Sequence, residues 1–292
     1  MKSKVILLIV SLSLTAVGSM GAQGYSFQVE KSGSGDPVIL IPGLSCSGEV
    51  WEETVSHLRT RYECHVLTLP GFAGQPPLDP LPEDYLGAVR DELLRYIAEQ
   101  DLKHPIVIGH SLGGFLGMTM AIEAPGRLRK LLIVDALPFL AAIQAPAMTE
   151  EVARSMAANM KASVLKQSPE QYEQAQPAIL ATMINDKDNI ATALQWGRDS
   201  DRATVAQAMY DLYAFDLRDE LAGVEIPILV LGAWVAYKPW GATRESTLAR
   251  YESQYAKAPH CRVRLTDVGK HFIMWDDPGF YFEQLHQFLL EP

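Results

Sequence analysis

Six short apolar runs punctuate this chain, at 37–41, 65–69, 106–108, 131–134, 228–231 and 261–265. Most are unbroken: Ile106-Val107-Ile108 and Leu131-Leu132-Ile133-Val134 carry no polar residue. A strand exposed on one face alternates apolar with polar, whereas one covered on both faces reads as a continuous hydrophobic run. Helical patterns separate the runs. Over 85–100 the residues Leu86, Val89, Leu93, Leu94 and Ile97 form one stripe of an amphipathic helix. Buried strands alternating with helices predict an α/β fold built on a doubly wound, mostly parallel sheet. Sites in such sheets lie beyond the carboxyl ends of the strands.

The alternation stops between about 137 and 215. That stretch holds no strand pattern and is rich in Ala, Met, Gln and Glu. Ser168-Pro169-Glu170-Gln171 is a helix start, with serine at the N-cap, proline at N1 and glutamine at N3. Val205, Met209 and Leu212 recur at helical spacing after Asp201. A helical insertion over the sheet is the expectation. Met148, Met156, Met160, Met183 and Met209 fall within it, half of the ten methionines. Flexible thioethers can mould to varied apolar ligands, though each one can equally pack helices together.

The pentapeptide Gly109-His110-Ser111-Leu112-Gly113 follows the third run and opens into an apolar helical pattern. Strand, G-x-S-x-G, helix is the context of a nucleophile elbow. A tight turn there exposes the serine Oγ at the top of the sheet with backbone N–H groups behind it. The small residues let strand and helix backbones approach closely.

Composition narrows the classes. A chain of 292 residues with 48% hydrophobic content supports a real core. Its net charge of −10 argues against nucleic acid and anionic membrane surfaces as partners. Residues 1–22 read as a signal peptide: Lys2 and Lys4, an apolar stretch, then small residues up to Gly21-Ala22. A periplasmic or secreted protein without a stable membrane anchor is expected, an uncleaved anchor being the alternative. Cys46, Cys64 and Cys261 match no zinc spacing. They read as small buried apolar residues, although an oxidising compartment would allow one pair to bridge.

Four motifs in order resemble those of the α/β-hydrolases of the serine-nucleophile, helical-cap type, over roughly 36–290. Ile39-Leu40-Ile41-Pro42-Gly43-Leu44, with Ser47-Gly48 and Trp51, resembles that family's oxyanion loop. Pro70-Gly71-Phe72-Ala73-Gly74 resembles its next glycine turn, Gly109 to Gly113 its elbow, and Lys270-His271-Phe272 with Asp277-Pro278 its histidine loop. The resemblance implies a core of 36–136 and 216–290 with a helical cap at 137–215, inserted after the strand that follows the elbow helix. It implies no cofactor and no metal.

Roles follow from chemistry. A serine hydroxyl needs an adjacent base, so Ser111 calls for His271, late in the chain as the order Ser, acid, His requires. By resemblance the N–H groups of Leu44 and Leu112 form the oxyanion hole. The family usually has histidine before the first glycine; here it is Pro42, which forfeits bracing by a side chain but not the donor two residues on. The acid usually stands just past the strand before the last, yet 231–240 contains no carboxylate. Some members carry it past the strand after the elbow helix, where Asp135 follows Val134. Asp216 and Asp219 are weaker candidates. The function expected is a secreted serine esterase or lactonase that acts through an acyl-enzyme on a small to medium apolar substrate. A thioesterase, amidase or carbon–carbon bond hydrolase on the same residues stays open, as does a ligand-binding homologue without chemistry. His57, His65, His104, His260 and His286 lack comparable context.

Overall fold

The computed structural model describes residues 24–143, 145 and 147–291; the expected signal peptide lies outside them. Seven strands form one sheet in the order β1-β3-β2-β4-β5-β6-β7. They are β1 Gln28–Gly33, β2 Asp36–Ile41, β3 Tyr62–Thr68, β4 Ile106–His110, β5 Lys130–Val134, β6 Ile228–Gly232 and β7 Cys261–Leu265. All neighbours run parallel except β1, which pairs antiparallel with β3 at the edge. The six apolar runs correspond to β2 through β7. β1 had no such signal, because only Val29 and Ser32 in it are even half-buried. Its exposed Gln28, Glu30 and Lys31 are what a protected edge carries.

The continuous apolar runs have the cause inferred for them. Val38 and Leu40 of β2 point into one core and Ile39 and Ile41 into the other; Leu132 and Val134 of β5 oppose Leu131 and Ile133 in the same way. Helices cover both faces. α1 is Glu52–Leu58, α2 Tyr85–Glu99 and α3 Leu112–Glu123. Four more, α4 Glu150–Lys166, α5 Pro169–Met183, α6 Lys187–Arg198 and α7 Arg202–Ala214, follow β5 as the helical insertion. α8 Arg244–Gln254, α9 Ile273–Asp276 and α10 Pro278–Leu290 complete the order. α2, α3 and α8 pack on one face, where Leu93, Leu116 and Tyr251 are buried, and α1 and α10 on the other, where Leu58, Leu285 and Phe288 are buried. Among the described residues no helix is long and apolar enough to cross a membrane.

The insertion is built from strong local signals. Thr149, Ser168, Asp186 and Asp201 each cap a helix with their side chains, and Ser168 and Gln171 close a reciprocal capping box. Each such cap stabilises a helix by about 1 kcal/mol. The insertion docks on the core through the glycine turn: Asp201 N donates to Gly71 O at 2.7 Å and Gly74 N to Asp199 O at 2.9 Å. Gly71, at φ +79, has no room for a side chain, since a Cβ would lie 2.6 Å from Thr204 Oγ1. On α7, Asp211 is fully buried and accepts from the N–H groups of Tyr85 and Leu86 at 3.0 and 3.1 Å. A cap side chain thereby satisfies donors at the start of α2, which has no intrahelical partner for them.

The chain crosses from β3 over β2 to β4, so the strand order reverses between β2 and β4. Their carboxyl ends, Ile41 and His110, therefore border the crevice where such sheets bind ligands.

Candidate active site

Ser111 follows β4 directly and serves as the N-cap of α3, at φ +52 and ψ −116. Ser45 and Asp135, beyond the ends of β2 and β5, also have left-handed φ, +59 and +53. Strained backbone of this kind costs about 1–3 kcal/mol per residue and persists only where the surroundings enforce it. Here the sheet does so: Ser111 N donates to Val134 O at 2.8 Å and Asp135 N to Leu231 O at 2.7 Å. The elbow glycines are required by packing. A Cβ on Gly109 would lie 2.2 Å from Gly113 O, and one on Gly113 2.2 Å from Ile41 O.

Asp135 and His271 meet. His271 Nδ1 lies 2.6 Å from Asp135 Oδ2. The carboxylate can only accept there, so the proton sits on Nδ1 and Nε2 is left as the free base. Asp135 Oδ1 accepts two further bonds, from Ala233 N at 2.7 Å and Tyr251 Oη at 2.6 Å. Ala233 opens the segment after β6 that lacks a carboxylate, so its backbone N–H now holds the acid that stands one strand away. Burial and the adjacent Asp135 push the Tyr251 phenol well above its ordinary range, which keeps it a donor. Asp216 and Asp219 lie elsewhere, in ion pairs with Arg218 at 2.5 Å and Lys257 at 2.8 Å.

His110 ties the elbow to the histidine loop. Its Nε2 donates to His271 O at 3.1 Å, and the two rings are 4.7 Å apart. Burial, then the neighbouring His271, drive its pKa well below the ordinary histidine value, so the ring is neutral. Nδ1 faces Gly43, where a Cβ would approach it to 2.8 Å and Ser111 Cβ to 3.4 Å. Ser111, Gly43 and His271 are thus gathered around one imidazole.

Leu112 is the first residue of α3, where an N–H has no intrahelical acceptor. Leu44 follows Gly43 in the turn that Cys46 N closes onto Gly43 O at 3.2 Å. Cys46 and Cys64 are buried free thiols, Cys46 pushed up to about 12 and Cys64 to about 11 by burial, and Cys261 is free and half-buried. The remaining histidines serve structure: His65 Nδ1 bonds Tyr96 Oη at 2.6 Å, His104 bonds Gly126 O, and His57 stacks on Phe282 at 3.7 Å. Tyr251 escaped sequence reasoning, since no motif near it in the chain marks its pairing with Asp135.

Such an arrangement can activate a hydroxyl. His271 can take a proton through Nε2, Asp135 fixes its tautomer, and the N–H of Leu112 follows Ser111 directly.

A family model described as the Alpha/beta hydrolase family matches residues 38–284. A pimeloyl-[acyl-carrier protein] methyl ester esterase of Aeromonas hydrophila is 31% identical over 208 residues, which is 70% of this chain and 78% of that protein. Among solved structures, a hydrolase from Pseudomonas aeruginosa superposes with a TM-score of 0.75 at 16% identity, over 91% of this chain and 94% of the other. The enol-lactonase of Burkholderia xenovorans gives 0.73 at 16% identity, over 91% and 96%.

Proposed function

The chain belongs to the alpha/beta hydrolase family, and within it we propose a serine hydrolase that cleaves carboxylic esters or lactones through an acyl-enzyme. The observation that carries this reading is the 2.6 Å contact of Asp135 with His271 Nδ1, beside a serine held in a strained elbow. A ligand-binding homologue has no use for an oriented imidazole next to a strained serine. The curated ester esterase at 31% identity points to the same bond class.

In this reading Ser111 Oγ attacks the acyl carbon while His271 Nε2 takes its proton. The oxyanion collects the N–H groups of Leu44 and Leu112, which are oriented before the charge forms. The tetrahedral adduct expels the alcohol, which leaves with the proton from His271. Water then repeats the sequence on the acyl-enzyme, and the acid product and free Ser111 result. A small to medium apolar acyl or alcohol group is the substrate class we infer, from the half-buried methionines of the insertion. Export would rest on the 1–22 pattern alone, and sequencing the mature N-terminus reads it directly.

The test is labelling with a fluorophosphonate probe alongside turnover of a graded panel of chromogenic esters. Wild type should label rapidly, and Ser111→Ala should lose labelling and about 10⁶ in rate while still folding. Ester turnover by Ser111→Ala within tenfold of wild type would sink the assignment. Absence of labelling in wild type would favour the binding reading.

A further inference from the structure

His271 stands between two residues that are fastened to the insertion. Phe272 N donates to Met183 O at 3.3 Å, the last residue of α5. Lys270 Nζ donates to Ala181 O at 2.7 Å and Ile184 O at 3.2 Å. An ammonium on the final carbonyls of a helix satisfies acceptors that have no intrahelical donor and meets the negative end of the helix dipole. Lys270 N donates to Asp276 Oδ2 at 2.9 Å, while the other oxygen of that carboxylate accepts from Asn185 N, also at 2.9 Å. Asn185 Nδ2 reaches back to Val268 O at 3.2 Å. Six hydrogen bonds therefore close around residues 268–276 and 181–185. Beneath them Ile184 is buried at 1% exposure with Phe272 and Ile273, and Trp196 of α6 packs on Trp275 with centroids 5.7 Å apart.

Nothing in an ordinary loop requires this. A histidine needs only its carboxylate to set its tautomer. The bonds here fix the backbone on both sides of His271, and every outer partner but Asp276 belongs to the last residues of α5 or the turn that follows it. We propose that this turn positions His271 through Lys270 and Asp276, so that the seating of the insertion over the sheet sets the alignment of the base with Ser111. Both are positioning residues: neither touches the reacting atoms. This rests on the serine-hydrolase reading above.

The experiment compares wild type, Lys270→Met, Lys270→Arg and Asp276→Asn in the full chain. Methionine keeps the buried stem and removes the donors; arginine restores donors. A misplacement of about 1 Å costs on the order of 10²-fold. Lys270→Met should lower kcat on a short ester by about ten- to a hundredfold with KM within twofold. It should slow fluorophosphonate labelling of Ser111, a step that needs no contact with the insertion, by the same factor. Lys270→Arg should recover most of both, and Asp276→Asn should repeat the loss. Labelling at the wild-type rate in Lys270→Met and Asp276→Asn, with only KM raised, overturns the proposal and leaves the insertion a substrate-binding element. A wild type that does not label fails the serine-hydrolase reading itself and takes this inference with it.

Discussion

One carboxylate oxygen, Asp135 Oδ2, decides how His271 is used, and its partner Oδ1 is committed to Ala233 N and Tyr251 Oη. Asp135→Asn would present an amide that either reverses the hydrogen bond to Nδ1 or loses one on the other side. The imidazole would then favour the wrong tautomer, and kcat should fall by about 10⁴, the scale known for that change in a serine protease. Asp216→Asn and Asp219→Asn, whose partners are Arg218 and Lys257, should leave turnover within a few-fold. A dead Asp216 variant beside an active Asp135 variant would reassign the acid. Tyr251→Phe keeps the ring in its packing and deletes one donor. Hydrogen bonds to charged groups are worth about 1.5–3 kcal/mol. The carboxylate that orients His271 would lose a donor, and kcat should fall about tenfold at unchanged KM. Turnover within twofold of wild type would make Tyr251 core packing only. Ser111 and His271 were legible because their motifs are local: a turn needs its glycines within five residues. Asp135 was legible through the resemblance, since some α/β-hydrolases carry the acid past the strand after the elbow helix and 231–240 holds no carboxylate. Tyr251 was not, because its phenol finds Asp135 across 116 positions of sequence, and nothing near it marks the pairing.

At the scale of elements, the proposed reading assigns substrate selection to the insertion. Met148, Met156, Met160, Met183 and Met209 are all half-buried in it, and Met183 packs with the cluster holding Phe272 and Ile273. If these side chains bound substrate, Met160→Ala and Met183→Ala would change relative rates along a series of ester chain lengths. Each methylene in an apolar pocket is worth about 1–3 kcal/mol of discrimination. An unchanged profile for both would leave the methionines as interior packing. The helices of the insertion could be read from their own ends, since Ser168 and Asp201 cap α5 and α7 where the spacing begins. The strands β2 to β6 could be read because both faces are covered, and β7 because Cys261, Val263 and Leu265 alternate with exposed Arg262 and Arg264. β1 could not: an exposed edge strand of mixed polarity has no periodic signal to distinguish it from a loop. Nor could the pairing of the glycine turn with 199–204, which depends on where the insertion lands.

Over the whole molecule, the docking of insertion on core carries its own pH dependence. Burial pushes the Asp211 carboxyl up to about 7; donors from Leu86, Gln207 and Tyr85 pull against it, and Asp84 adds to it. Its folded value stands above the unfolded 3.8, so its contribution to stability is complete below that value and is lost as pH rises through about 7. His65 has the opposite sign. Burial depresses it to about 4, against the pull of Glu63, so its contribution is complete above 6.5 and is lost as pH falls through about 4. His110, held well below 6.5, acts in the same direction as His65. Between about 4 and about 6.5 the Asp211 slope opposes those of the two histidines, so wild-type Tm should rise with pH less steeply than the histidines alone would make it. Asp211→Asn removes the opposing slope. It lowers Tm throughout, because an amide cannot accept from two backbone N–H groups and Gln207 as the carboxyl does. Its slope is the readout: Tm of the variant should climb steadily with pH across that window, and the deficit against wild type should be smallest near neutral pH. Parallel curves for the two proteins would mean that the Asp211 carboxyl titrates alike in folded and unfolded chains, and the seam between α7 and α2 would then hold equally well at every pH.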